Sequence, residues 1–404
     1  MKEKKQELVP EVRFPEFSGD WDVKTLGEVF DLRNGYTPSK GNPEYWENGA
    51  IPWFRMEDIR ENGHILSDAI QHITPEAIKG GGLFKKGSFI LATTATIGEH
   101  ALLIADSLAN QQFTNLQIHE SQKDNFETMY LYYYLFIVDE FCKMNVNQGG
   151  FYSVDMPSLR KCPIPFPSPS EQKKIAECLS SVDESIKAED DRLQSLKDHK
   201  KGLMQKLFPK KGETIPEVRF PEFSGEWNLA TIEELSDILD FNRKPITENM
   251  RESGPYPYYG ASGIVDYVKD FIFDGEYLLV SEDGANLLAR TTPIAFSICG
   301  KNWVNNHAHV LLFSSCSVQK YCESYLNFID LSDYITGLAQ PKLNKEQLKK
   351  ITITIPSSHK EVKKIADCLS SLDDEIAAQQ QKVDALKEHK KGLMQKMFPK
   401  ISNN

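Results

Sequence analysis

The chain has 404 residues, 40% of them hydrophobic and 10% aromatic, enough for two or three packed domains and too much for disorder along its whole length. Its 47 Lys and Arg stand against 58 Asp and Glu, a net charge of −11. That balance excludes a protein that coats nucleic acid by bulk positive charge, but not a reader whose cations are placed locally.

Apolar runs such as Leu131–Val138 fall far short of the roughly 20 residues that cross a bilayer. The opening MKEKKQELVPEV lacks the apolar core of a secretory signal. Seven cysteines with no CxxC pair argue against a disulfide framework or a zinc ribbon. These features predict a soluble, cytoplasmic chain without a membrane partner.

Along the chain, the first notable segment is PEVRFPEFSG at Pro10–Gly19, followed by Asp20-Trp21. The insert behind it holds short β-prone runs, GSFILATTATIG, HALLIAD and FTNLQIH, and then an apolar helix candidate, TMYLYYYLFIVDEF. A long helical stretch follows, KKIAECLSSVDESI at Lys173–Ile186 and KDHKKGLMQKLFPK at Lys197–Lys210. PEVRFPEFSG then returns letter for letter at Pro216–Gly225, before Glu226-Trp227. In the second insert, DYVKDFIF and EYLLV flank Asp274-Gly275, a hairpin signal, and TPIAFSI and HAHVLLF add strands before the helix candidate VQKYCESYLNFI. The chain closes on KKIADCLSSLDDEI at Lys363–Ile376 and KEHKKGLMQKMFPK at Lys387–Lys400. Two near-identical frames therefore hold two different inserts.

The repeated helices carry a heptad seam. In the first copy it runs through Ile175, Leu179, Val182, Ile186, Leu193, Leu196, Leu203 and Leu207, interrupted by Glu189 and Lys200. The second copy keeps the phase with Ile365, Leu369, Leu372, Ile376, Val383, Leu386, Leu393 and Met397, interrupted by Gln379 and Lys390. Glu171–Arg192 carries seven acids and four bases, whereas Lys197–Lys211 carries six bases and one acid, and the second helix has the same polarity. Antiparallel pairing sets each acidic half against a basic half, so the two helices are expected to form an antiparallel coiled coil. Pro209 and Pro399 stop them. The fold class predicted is α+β: two globular α/β domains separated by the two long helices, in a pseudo-twofold circular arrangement with neighbouring termini. The boundaries fall at 1–167, 168–210 (first helix), 211–356 and 357–404 (second helix and tail).

Catalytic motifs are missing. Gly82-LFKK-Gly87-Ser88 has phosphate-loop spacing without its lysine and reads as a turn before the strand at Phe89. His307 and His309 are spaced to begin a metal site but lack an evident third ligand, which favours packed or hydrogen-bonding histidines. Glu282 and Asp283 open an Asp-Gly turn at a strand end. Cys178 and Cys368 recur beside the seam as small apolar fillers. The chain is accordingly expected to be no enzyme and to hold no metal.

The layout resembles the specificity subunit of bacterial Type I restriction–modification enzymes over essentially its full length. The resemblance rests on the duplicated Trp21-x4-LGEVF and Trp227-x4-IEELSDI openings, on the helices EQKKIAECLSSVDESI and EVKKIADCLSSLDDEI, and on FDLRNGYTPSKGN, IPWFRMEDI, GPYPYYGASGIVDYV and WVNNHAHVL, which look like target-recognition segments. It implies two target-recognition domains, each reading half of a bipartite, asymmetric double-stranded DNA site. It implies two modification subunits that bind S-adenosylmethionine and methylate adenine, and motor or restriction subunits that use ATP and Mg, with no cofactor on this chain. The length of the helix agrees: Glu171–Leu207 spans about 55 Å, more than the roughly 34–36 Å of one DNA turn.

Phosphate and base contacts favour polar, cationic and aromatic residues on loops. The DNA-binding candidates are Arg33, Tyr36, Thr37, Ser39, Lys40, Gln148, Phe151 and Tyr152 in the first domain. In the second they are Arg243, Lys244, Tyr258, Tyr259, Asn286, Arg290, Gln340 and Lys342. A coiled-coil scaffold carrying two modules that do not bind DNA is the competing reading. It explains the repeat and the acidity, but not the target-recognition segments.

Overall fold

The computed structural model describes residues 8–147, 152–337 and 340–400. They divide into two compact units, one made of Met1–Ala188 with Val383–Asn404, the other of Glu189–Lys382. Two 39-residue helices, Pro169–Leu207 and His359–Met397, each begin in one unit and end in the other.

In the first unit, strand β1 (Asp22–Thr25) leads to β2 (Phe30–Asn34), β3 (Ile51–Phe54), β4 (Ile65–Leu66), β5 (His72–Ile73), β6 (Phe89–Ala92), β7 (His100–Leu103), β8 (Leu108–Ala109) and β9 (Phe113–Ile118). Helix α1 (Thr128–Met144), strand β10 (Pro163–Phe166) and the first half of α2 (Pro169–Leu207) follow. The strands form a five-stranded sheet, β2-β9-β6-β7-β4, a three-stranded sheet, β5-β3-β8, and the antiparallel pair β1-β10. The unbroken apolar run of α1 follows from its position: nine of its residues are buried between the larger sheet and the long helices. The run GSFILA becomes β6 with all four residues buried, a central strand covered on both faces.

The second unit repeats the plan with β11 (Asn228–Thr231), β12 (Ser236–Ile238), β13 (Ser253–Gly260), β14 (Gly263–Val268), β15 (Phe273–Asp274), β16 (Tyr277–Ser281), β17 (Ala295–Ile298), β18 (Lys301–Val304) and β19 (Ala308–Phe313). Helix α3 (Cys316–Phe328), strand β20 (Thr352–Ile355) and α4 (His359–Met397) complete it. Its sheets are β12-β19-β16-β17, β14-β13-β18-β15 and the pair β11-β20. One expectation is corrected here. Asp274-Gly275 is not a hairpin turn, because Asp274 pairs with Lys301 while Tyr277 pairs with Ile298 in the other sheet. The chain changes sheets at this dipeptide, and Gly275, at φ +156°, makes the bend.

The duplicated segment is a clamp at the start of each long helix. Arg13 grips the buried Glu171 with two hydrogen bonds of 2.8 Å and donates to the carbonyls of Ser18 and Gly19. Arg219 does the same to Glu361, at 2.6 and 2.8 Å, and to Ser224 and Gly225. Lys174 pairs with Glu16 over the ring of Phe14, and Lys364 pairs with Glu222 over Phe220. The Val12 N–H donates to the Lys396 carbonyl and the Val218 N–H to that of Lys206, both at 2.9 Å. In the first unit this ties the N-terminal segment to the end of α4. Buried Tyr130 donates to Pro165 O and buried Tyr321 to Thr354 O, each at 2.6 Å; burial pushes both hydroxyls well above their usual pKa, so they remain donors.

Within each unit the long helices run antiparallel. In the first, Ile175 and Leu179 share a core with Leu393, Met394 and Met397, and Asp183 meets Lys390 at 2.6 Å. In the second, Leu203 and Leu207 share a core with Val362, Ile365 and Leu369, and Lys200 meets Asp373 at 2.5 Å. Val182, Ile186, Leu193, Leu196, Leu372, Ile376, Val383 and Leu386, like the other seam positions, are buried or half-buried. The interruptions are partnered as well: Gln379 donates to Glu189 at 2.7 Å, and Lys382 caps the same carboxylate at 2.6 Å. Polar groups at seam positions find mates across the pair, which fixes its register.

Candidate nucleic-acid interface

In each unit one sheet ends in the same construction, β5-β3-β8 in the first and β14-β13-β18-β15 in the second. Strand β8 runs parallel to β3, with Ala109 opposite Phe54. The chain then enters the turn Asn110-Gln111-Gln112, where the Asn110 N–H donates to Phe54 O at 3.0 Å and its side-chain oxygen accepts from the Gln112 N–H at 3.0 Å. The Gln112 carbonyl accepts from the Thr93 N–H at 2.9 Å. In the second unit β18 runs parallel to β13, with Val304 opposite Tyr259, and Asn305-Asn306-His307 makes the same three bonds, to Tyr259 O at 3.0 Å, within the turn at 2.8 Å and from the Glu282 N–H at 2.8 Å. The tip residues, Gln111 and Asn306, are exposed.

Beside the second tip lies a cleft of about 570 Å³ whose lining includes Thr247, Arg251, Ser262, Asn305, Asn306 and His307. Arg251 lies 4.6 Å over the buried ring of Tyr258 and 3.3 Å from Asp266. His307 pairs with Asp283 at 2.8 Å. Beneath the turn, Asp240, Glu282 and His309 bring ligand-type atoms within 4.8 Å of one another. Arg243 occupies that cluster. Its guanidinium lies 2.7 Å from Glu282 and 3.3 Å from Asp240, while His309 bonds Asp240 through Nδ1 at 2.6 Å and the Leu343 carbonyl through Nε2 at 2.7 Å. Burial opposes ionisation of both acids, but the His309 hydrogen bond and charge on Asp240, and the Arg243 hydrogen bond on Glu282, hold both carboxyls below their usual range. A cation placed there would face the guanidinium. The network therefore acts as a buried ionic staple under the turn.

The first unit solves a similar problem with fewer partners. His100 and Asp139, both buried, meet at 2.6 Å, and His100 Nε2 lies 3.2 Å from the Tyr132 carbonyl. Among the described residues the second oxygen of Asp139 has no hydrogen-bond partner, and burial raises this carboxyl despite His100.

The candidate contact residues fall into three groups. Ser39, Lys40, Tyr152, Lys244 and Gln340 are exposed. Lys342 is also exposed, 3.2 Å from Glu282. A second group is committed to internal bonds. Tyr258 is 1% exposed, and its hydroxyl accepts from the Ile246 N–H. Arg243 belongs to the staple. Arg290 donates to the carbonyls of Leu326 and Ile329 at the end of α3. Asn286 bonds Thr291 and Thr292 in its own loop. Arg33 lies 4.7 Å over Phe84, and Tyr36 bonds Ala77 O and the Lys79 N–H. These six side chains support the loops from within. Between the groups stand Tyr259, half-buried with its ring near Phe296, and Thr37, which donates to the Gln111 side chain. Gln148 and Phe151 lie outside the described residues. Gln111 and Asn306 escaped notice in the sequence. The available signal was an Asn followed by two polar residues immediately before a strand in both inserts, LANQQFTNLQI and WVNNHAHVLLF.

The profile of the Type I restriction modification DNA specificity domain family matches residues 18–198 and again 224–388. The chain belongs to this family. It is 35% identical over 345 residues to the Type I restriction enzyme EcoprrI specificity subunit of Escherichia coli, covering 83% of this chain and 84% of that protein. It is 25% identical over 414 residues to the Type I restriction enzyme MjaIX specificity subunit of Methanocaldococcus jannaschii, with 94% and 92% covered. In fold it is similar to the crystal structure of a Type I restriction–modification S subunit from M. genitalium, with a TM-score of 0.61 at 15% identity over 98% of this chain and 100% of that one. The double family match falls on the two units, each of which carries one copy of the clamp, the sheets and the tip. Among the described residues no helix is long and apolar enough to cross a membrane.

Proposed function

We propose that this chain is the DNA-reading, non-catalytic subunit of a Type I restriction–modification complex, each unit reading one half of a bipartite, asymmetric site. The observation that carries the reading is the contrast within the repeat. The clamp recurs bond for bond, as do the long-helix pairs Asp183–Lys390 and Lys200–Asp373, while the loops around the matched tips differ in sequence and length. A shared frame with diverged loops is what two unlike half-sites require. The partners are double-stranded DNA in the cytoplasm, two modification subunits holding S-adenosylmethionine, and motor or restriction subunits using ATP and Mg; this chain holds none of these cofactors. On this reading the exposed candidates Ser39, Lys40, Tyr152, Lys244, Gln340 and Lys342 contact the DNA, their exposure supporting that role. The scaffold alternative has no corresponding account of the family match.

The test is methylome sequencing of the host with and without the gene. A bipartite adenine-methylated motif that disappears on deletion is the expected result; unchanged methylation contradicts the proposal.

A further inference from the structure

We propose that Asn306 and Gln111 are base-reading residues, each presenting its amide to the N6/N7 edge of an adenine in the half-site that its own unit contacts. The inference rests on the DNA-reading function above and deepens it by naming specificity determinants and the base they select. An Asn or Gln amide offers a donor and an acceptor in one plane, the pattern that matches adenine in the major groove. Such readout requires a side chain that is exposed and a backbone that does not yield.

Both conditions are met at the two tips. Each backbone is fixed at three points: to the neighbouring strand, across the turn by the preceding Asn, and to the strand-end N–H of Thr93 or Glu282. Among the described residues the Asn306 side chain has no hydrogen-bond partner. Among the described residues Gln111 accepts only from Thr37, which sets the orientation of the amide and leaves its two N–H donors and the second lone pair of its oxygen open. The Asn110 and Asn305 side chains are consumed in holding the turns, so the following residue is the reader.

The surroundings suit a nucleic acid. Asn306 borders the cleft lined by Thr247, Arg251, Ser262 and His307. Lys244, whose carbonyl accepts from the indole of Trp303 on β18, and Lys40 in the loop after Thr37 are exposed and, among the described residues, form no ion pair. Lys244, whose N–H bonds the Val304 carbonyl two residues before Asn306, and Lys40, three residues past the Thr37 that holds Gln111, are the phosphate anchors of this reading. The two tips occupy equivalent places but carry different amides with different neighbours, as positions that read different sequences would.

The experiment uses the complex assembled from the full-length chain and its modification subunits, acting on a plasmid library with randomised half-sites. In Asn306→Ala one A·T pair of one half-site should lose discrimination by roughly 10- to 100-fold, with the other half-site untouched. Gln111→Ala should relax one A·T pair in the opposite half-site. An unchanged motif, or activity reduced equally on all sequences, would overturn the proposal, and relaxation at a pair other than A·T would overturn the adenine assignment. Thermal melting of the isolated variants should match the parent chain, because both side chains are exposed; a large drop would mark them as structural and also overturn it. If the parent complex itself yields no bipartite motif, the DNA-reading function is what fails, and this proposal falls with it.

Discussion

The two clamps and the two buried histidine–carboxylate sites respond to duplication in opposite ways. Arg13–Glu171 and Arg219–Glu361 lie in different units, yet they make the same hydrogen bonds to carboxylate and carbonyls, with lengths agreeing within 0.2 Å. The histidine sites do not correspond. Among the described residues, His100–Asp139 leaves a carboxylate oxygen without a partner, whereas His309–Asp240 is completed by Arg243, Glu282 and the Val310 N–H. A bond kept in both copies reports a requirement of the frame; a bond present in one copy reports what that particular recognition domain needs.

The largest effects should come from the frame. Glu171 and Glu361 are almost fully buried, and removing either leaves a guanidinium without its main partner. Glu171→Ala and Glu361→Ala should each cost about 3 kcal/mol of stability in urea unfolding. Because the geometry is the same, the two losses should agree closely; a loss confined to one copy would show that the clamps are not equivalent.

Acidification sharpens the second half of the comparison. Asp240 and Glu282 are held below their usual values of 3.8 and 4.5, so they contribute stability above those values that is lost as pH falls through their folded-state values. Asp139 is raised above 3.8, so its contribution is present below that value and is lost as pH rises through its folded-state value. Unfolding free energies measured from about pH 6 to below pH 4 should thus change slope in opposite senses in Asp240→Asn and Asp139→Asn. Slopes altered in the same sense would contradict the assignment.

The smallest effects belong to the paired lysines of the long helices. Lys200–Asp373 and Lys390–Asp183 are partly exposed pairs, with side-chain exposures of 19% and 53%, and 18% and 35%. Lys200→Ala and Lys390→Ala should each cost about 0.5 kcal/mol, read as matching small shifts in the melting midpoint.

What the sequence revealed divides along the same line. The repeated segment, the seam and the antiparallel sense were legible because they follow from letter-for-letter repetition, a spacing of three and four residues, and a charge gradient along one helix; that the repeated segment clamps Glu171 and Glu361 was not. Local chemistry was also sufficient for β6, β9 and α1. It failed where the outcome depends on distant partners. Asp274-Gly275 has the composition of a hairpin, but its two sides pair with strands in different sheets. Nor could local chemistry show that Arg243, Tyr258 and Arg290 bond Glu282, Ile246 and Leu326, which lie far enough along the chain that only folding brings them together. The tips went unread for the converse reason: Asn110 and Asn305 look like ordinary loop residues until the strand beside them is known.

The central claim is that each insert on the common frame reads its own half-site. Replacing Trp21–Pro167 with the equivalent segment of a family member, and sequencing the methylated motif produced by the assembled complex, tests it most directly. The account predicts a motif in which one half changes to that of the donor while the other is retained unaltered. A swap that changed both halves, or neither, would contradict it.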